Sequence, residues 1–200
     1  VVGSAAVWVR RAAIRPVPPY AVVPEHVLAK VEDELAEEGE LAKAKLDEAF
    51  ERFEESQPAL SERLGEVLST PRDETALALG YFLGLSVWLG FERAFPGELA
   101  EVSDLALASV EESLTLDEQI RLSDAAEVVD SDDVVAMEQP HLVKFVNEHV
   151  DAALEAHADS VDVDDVHAVY RVVLVEILAL SYAVSAPSNV DLASTGEFSA

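Results

Sequence analysis

The chain has 200 residues, half of them apolar, and a formal net charge of -27 from 40 acidic and 13 basic side chains. That length and apolar share suffice for one hydrophobic core. Only four of the bases are lysines (Lys30, Lys43, Lys45 and Lys144), which argues against binding to nucleic acid or to an anionic membrane, where clustered Lys and Arg must meet phosphate; the absence of cysteine excludes disulfides, thiolate metal sites and cysteine nucleophiles.

The apolar run from Ala5 to Val9 precedes Arg10 and Arg11, the reverse of a secretory signal, and is followed by Pro16, Pro18 and Pro19. Residues 1–23 therefore read as an extended or flexible arm, whose arginines could fold back onto an acidic body. The chain begins at Val1, and Met137 is its single methionine, which points to a processed or missing start.

Pro24 suits the first position of a helix, and Leu28, Val31, Leu35, Ala42, Leu46, Ala49 and Phe53 follow at helical spacing. The stripe keeps its phase across Gly39, so one long helix is expected there, with a kink at the glycine. A second, short helix should run from Pro58 to Thr70, where Pro71 ends it. A third is expected from Asp73 to Phe95. Its uncharged run, Thr75 to Phe91, is seventeen residues long and contains Gly80, Gly84 and Gly90. This falls short of a membrane span of about 20 residues and reads as a buried central helix.

After Pro96-Gly97 a fourth amphipathic stretch carries Leu99, Val102, Leu105 or Ala106, and Val110. A fifth is expected from Thr115 to Val129, since Thr115 and Glu118 have capping-box spacing. The Asp130-Ser131-Asp132-Asp133 cluster should turn and cap a short helix. Another helix starts at Pro140, with Leu142, Phe145, Val146, His149, Val150 and Ala153 on its apolar arc. The last runs from Val163 to Val184, and residues 187–200 read as a disordered tail. The fold class is all-α, a single bundle-like domain over residues 24–186 with six to seven helices.

The chain also repeats itself. Gln57-Pro58-Ala59-Leu60 recurs as Gln139-Pro140-His141-Leu142, Glu66 is matched by Glu148, and Tyr81 by Tyr170. The second copy has a turn seven residues longer, so one constant offset does not align both helices. Halves 24–96 and 97–186, packed as related helix pairs about a pseudo-twofold axis, are the expected architecture.

Four residues stand out as candidates for chemistry. His149 projects into an apolar arc, and Arg171 and Glu176 lie in the apolar last helix, next to Tyr170. A buried carboxylate must find a partner or move its pKa upward, and His149, Arg93 or Arg121 are the expected partners for Glu176. Glu138-x-x-His141 has the spacing of a di-metal carboxylate motif, but one such motif is missing and Pro140 puts Glu138 ahead of the helix. His141, His149 and His157 recur every eight residues, a step that turns about 80° and climbs about 12 Å, so no single metal touches two of them. No metal and no cofactor are expected, and the common catalytic motifs are absent.

The reading is a cytoplasmic, salt-adapted interaction or structural module with a protein partner, a basic one being the best complement. Between Asp130 and Asp165 eleven acids face one base, Lys144. A small enzyme or ligand or metal carrier using the four candidates is the alternative, and a nucleic-acid mimic that binds a basic partner is the third. A homodimer is compatible with all three.

Overall fold

The structure is a computed structural model that describes residues 12–36, 39–70, 73–123, 129–158 and 161–187. Among these residues the protein is all-α. Its helices are α1 (Glu25–Leu35), α2 (Glu40–Ser56), α3 (Pro58–Ser69), α4 (Glu74–Ala94), α5 (Asp104–Ser123), α6 (Ser131–Glu138), α7 (Pro140–Ala156) and α8 (Val163–Ala183). Proline at the first turn opens α3 and α7, where its missing N–H is not needed. Asp73 and Asp162 cap α4 and α8, each accepting two backbone N–H groups.

The duplication is visible in the packing. With α1 to α4 matched to α5 to α8, every extensively packed helix pair has a counterpart that is also packed: α1–α4 with α5–α8, α2–α3 with α6–α7, and so on. Pairs that cross between the halves obey the same rule, α3–α8 with α7–α4 and α1–α7 with α5–α3. Each half thus meets the other through equivalent helices. The central pair, α4 and α8, is its own counterpart.

These two core helices run side by side in the same direction. At their starts the Asp73 carboxylate accepts the Asp162 N–H at 3.0 Å, and Asp165 accepts the Asp73 N–H at 2.9 Å. At their ends Ala100 N–H donates to the Ala183 carbonyl and Ser185 N–H to that of Glu98. Aligned dipoles repel, and the acids gathered at the shared N-terminal end offset that repulsion. Both helices are long and apolar enough to cross a membrane by length and composition, and 67% of each apolar window is buried inside the fold.

Two glutamines lock the halves together by exchange. Gln57, ahead of α3, donates to the Ala100 carbonyl and accepts from Val102 N–H, holding the chain that leads into α5. Gln139, ahead of α7, does the same for Ala21 and Val23, which lead into α1, and also donates to Ser181 Oγ. Ala21 to Leu35 and Ala100 to Leu114 are identical at seven of fifteen positions, including Leu28/Leu107, Val31/Val110 and Leu35/Leu114. Those six residues are all apolar, and all but Leu35 are buried.

The expected helix breaks are reversed. The first helix does not continue through Gly39, whose φ of 105° is outside the helical range; it ends at Leu35 and α2 begins at Glu40. The break expected before Thr115 is absent, and α5 continues from Asp104 to Ser123. Thr115 spends its hydroxyl on the Glu111 carbonyl within the helix, and Glu118 turns to Arg171, so no capping box forms. Glu118 stands where the first half has Gly39, which accounts for both corrections. The expected continuation beyond Ser123 falls partly on residues 124–128, outside the described residues.

Within the expected arm, residues 12–23 are tied to the body and not loose. Ile14, Val17, Ala21 and Val23 are buried, Ala13 N–H donates to Asp117, Val17 N–H to Glu138, and Tyr182 OH to the Arg15 carbonyl, with the Arg15 guanidinium 4.1 Å from the centre of the Tyr182 ring. Residues 1–11 and 188–200 lie outside the described residues.

Candidate functional site

Each half forms a corner where its first two helices meet its core helix, and each corner carries a groove of about 410 Å³. The second-half groove lies between α5, the start of α6 and α8. Leu114, Leu122 and Leu174 line it with Glu118, Asp130 and Asp132, while Arg121, His167, Tyr170 and Arg171 complete the wall. Leu122 is 88% exposed.

Beside that groove lies a buried polar network. Asp117 is fully buried on α5 and meets Arg121, one turn on, through two hydrogen bonds of 2.5 and 3.3 Å. Ser131 Oγ and Ala13 N–H also donate to it, at 2.8 and 2.9 Å, and Arg121 donates to the Val129 carbonyl. Burial pushes the Asp117 carboxyl up, but the donors from Arg121, Ser131 and Ala13 outweigh it and hold the group below the ordinary carboxylate range. The network joins α5, α6 and the N-terminal segment at one point.

The four sequence candidates do not converge. Tyr170 and Arg171 line the second-half groove. Burial, reinforced by the charges of Asp132 and Asp133, pushes the Tyr170 phenol up to about 12. Arg171 is held by Glu118 at 3.0 and 3.3 Å and by Thr115 Oγ1 at 2.8 Å. His149 is elsewhere, on α7: its Nδ1 is 2.9 Å from the Phe145 carbonyl, its Nε2 is 3.4 Å from Glu32, and its ring packs on Phe82 and Phe145.

Glu176 is 3% exposed on α8. Its Oε1 is buried without a hydrogen-bond partner among the described residues, and burial raises its pKa well above the ordinary value. Neither His149, Arg93 nor Arg121 is its partner: they pair with Glu32, Glu34 and Asp117 respectively. Gly84 of α4 faces it, so close that a Cβ there would lie 3.5 Å from Glu176 Oε2 and would collide with Leu64. The matching residue in the first half is Val87, itself fully buried.

Glu138 accepts the Val17 N–H at 2.6 Å, which gives the Glu138-x-x-His141 motif a structural task in anchoring the N-terminal segment. The carboxylates of Asp130, Asp132 and Asp133 lie within 4.8 Å of one another, but Asp130 and Asp133 form the reciprocal capping box of α6. The sequence reading missed Asp117, Gln57 and Gln139 as buried polar centres. For Asp117 the available signal was Arg121 four residues on, the spacing of a helical ion pair.

No known protein family, characterised protein or solved structure matches the chain.

Proposed function

We propose that the protein is an interaction module whose second-half groove receives a segment of a protein partner carrying an apolar anchor flanked by lysine or arginine. The observation that carries this reading is Leu122, a large apolar side chain left 88% exposed beside a leucine-lined groove with Glu118, Asp130 and Asp132 around it. Isolated exposed leucines are ordinary on protein surfaces; this one adjoins a concavity of a size suited to binding. The groove also borders the stretch from Asp130 to Asp165, where eleven acids accompany one base, so a basic segment is favoured in approach and in register. The groove walls need little rearrangement to bind, because the Asp117 network and the Arg171–Glu118 pair hold them.

Photo-crosslinking from position 122 in an extract of the source cells, at low and moderate salt, tests the proposal. The expected product is a discrete partner crosslinked through a basic, apolar peptide, with a yield that falls as salt rises. Crosslinking from position 41, whose leucine is 73% exposed in the first half, is the control. Equal product patterns from the two positions, or none from position 122, would remove the support for this reading.

A further inference from the structure

The first-half groove gathers basic side chains in an otherwise strongly acidic chain. Among the described residues, Lys43, Lys45, Arg52 and Arg93 line it with Glu34 and Glu48, and Glu92 sits against Arg52. Four of the thirteen bases of a chain with net charge -27 thus converge on one cavity of about 410 Å³. Arg52 and Arg93 are held by acids. Arg52 grips Glu92 through two hydrogen bonds of 3.3 and 3.1 Å and lies 5.6 Å from the centre of the Trp88 ring, while Arg93 is held by Glu34 at 2.5 Å. Lys43 and Lys45 are exposed. Beneath this rim the groove is apolar, with Leu35, Ala49 and Leu89 among its walls.

A basic rim over an apolar floor matches a ligand with one anionic end and a hydrocarbon body. Walls from α1, α2 and α4 border a volume in the range of small-molecule sites, about 300–1,000 Å³. We infer that this groove binds a small amphiphilic carboxylate, its alkyl body against Leu35, Ala49 and Leu89 and its carboxylate at the lysine-bearing rim. Carboxylate and ammonium are compact, oppositely charged head groups, so a matched pair of alkyl ligands separates charge recognition from simple apolar adsorption.

Titration calorimetry with decanoate, and with decyltrimethylammonium as the cationic ligand of equal tail length, tests the inference on the full chain. The wild-type protein is expected to bind one equivalent of decanoate, and decyltrimethylammonium, titrated separately, should not bind with that stoichiometry and affinity. The double variant Lys43→Glu/Lys45→Glu should weaken decanoate binding about tenfold or more, the scale of a lost charge-assisted hydrogen bond. Leu105→Lys, at an exposed position outside both grooves, should leave it unchanged. The inference is overturned if decanoate fails to bind, if the cation binds with the same stoichiometry and affinity, or if reversing the two lysines has no effect. The separate cation titration uses the wild-type protein alone, so the test survives even a variant that folds poorly.

Discussion

The two halves turn the same corner with different chemistry. In the first, Gly39 provides the turn at a φ of 105°, and Ala42 and Ala49 occupy the helix that follows. In the second, the matching residues are Glu118, Arg121 and Ser131; the helix runs nine residues further, and the corner is filled by the Asp117–Arg121–Ser131 network. The comparison teaches that a duplicated helical frame accepts buried charge where each polar atom finds a partner. Glu176 departs from that rule: it replaces a buried valine of the first half, Val87, and leaves Oε1 without a hydrogen bond.

The largest effect is expected from breaking the second corner. Arg121→Ala should cost about 4 kcal/mol in urea unfolding, because Asp117 stays buried with its charge unpaired. The stabilisation from Asp117 is complete above the ordinary carboxylate pKa, since its folded value is lower, and it disappears as pH falls through that folded value. A loss below about 1 kcal/mol would mean that the corner relaxes and admits water, as an apolar corner need not.

The two glutamine clamps come next. Gln139→Ala strands the Val23 N–H and the Ala21 carbonyl and should cost about 3 kcal/mol, whereas Gln57→Ala, which has no equivalent of the Ser181 contact, should cost about 2. Hydrogen exchange at Val23 and Val102 reads each clamp separately. If each substitution loosens only its own site, the exchange contacts act locally; if either loosens both, the halves unfold as one unit.

Replacing Glu176 by leucine should stabilise the protein by about 2 kcal/mol at neutral pH, since a well-packed apolar residue removes the penalty of a buried carboxyl. The pH sign is opposite to that of Asp117. The folded chain retains a proton that the unfolded chain releases, because burial raises the folded pKa of Glu176. Its stabilisation is therefore fully present below the ordinary carboxylate value and declines as pH climbs toward the raised one. Unfolding curves for wild type and Glu176→Leu should diverge across that window; parallel curves would mean that Glu176 titrates normally.

The smallest effect concerns the surface. Leu122→Lys and Leu41→Lys should each change stability by no more than about 0.5 kcal/mol, as exposed substitutions generally do. Thermal melts check this, and a larger loss at position 122 would reveal a packing role for the leucine and weaken its assignment to binding.

Much of the fold was legible in the residues. Proline at the starts of α3 and α7, Asp73 and Asp162 before the core helices, and the apolar spacing of α7 each predicted a helix within a few residues of the observed one. The recurrence of Gln-Pro also pointed to the duplication. Its clearest copy, Ala21–Leu35 against Ala100–Leu114, is masked in the sequence because the three matched blocks are offset by 79, 82 and 89 residues, which no single alignment shift reveals. Gly39 and the Thr115-Glu118 pair misled for a shared reason. A glycine is compatible with a helix or its end, and a capping-box spacing also occurs inside helices, where a hydroxyl can bond back to the preceding turn.

Local sequence determined which segments coil and which faces are apolar, since both depend on residues three or four positions apart. Tertiary structure alone decided which charges are paired. Glu176 had three plausible partners in the sequence and has none of them in the fold, while His149, Arg93 and Arg121 each found an acid elsewhere. Those choices rest on which helix faces meet between the two halves, and on Gly84 leaving room for a carboxyl where the other half packs a valine.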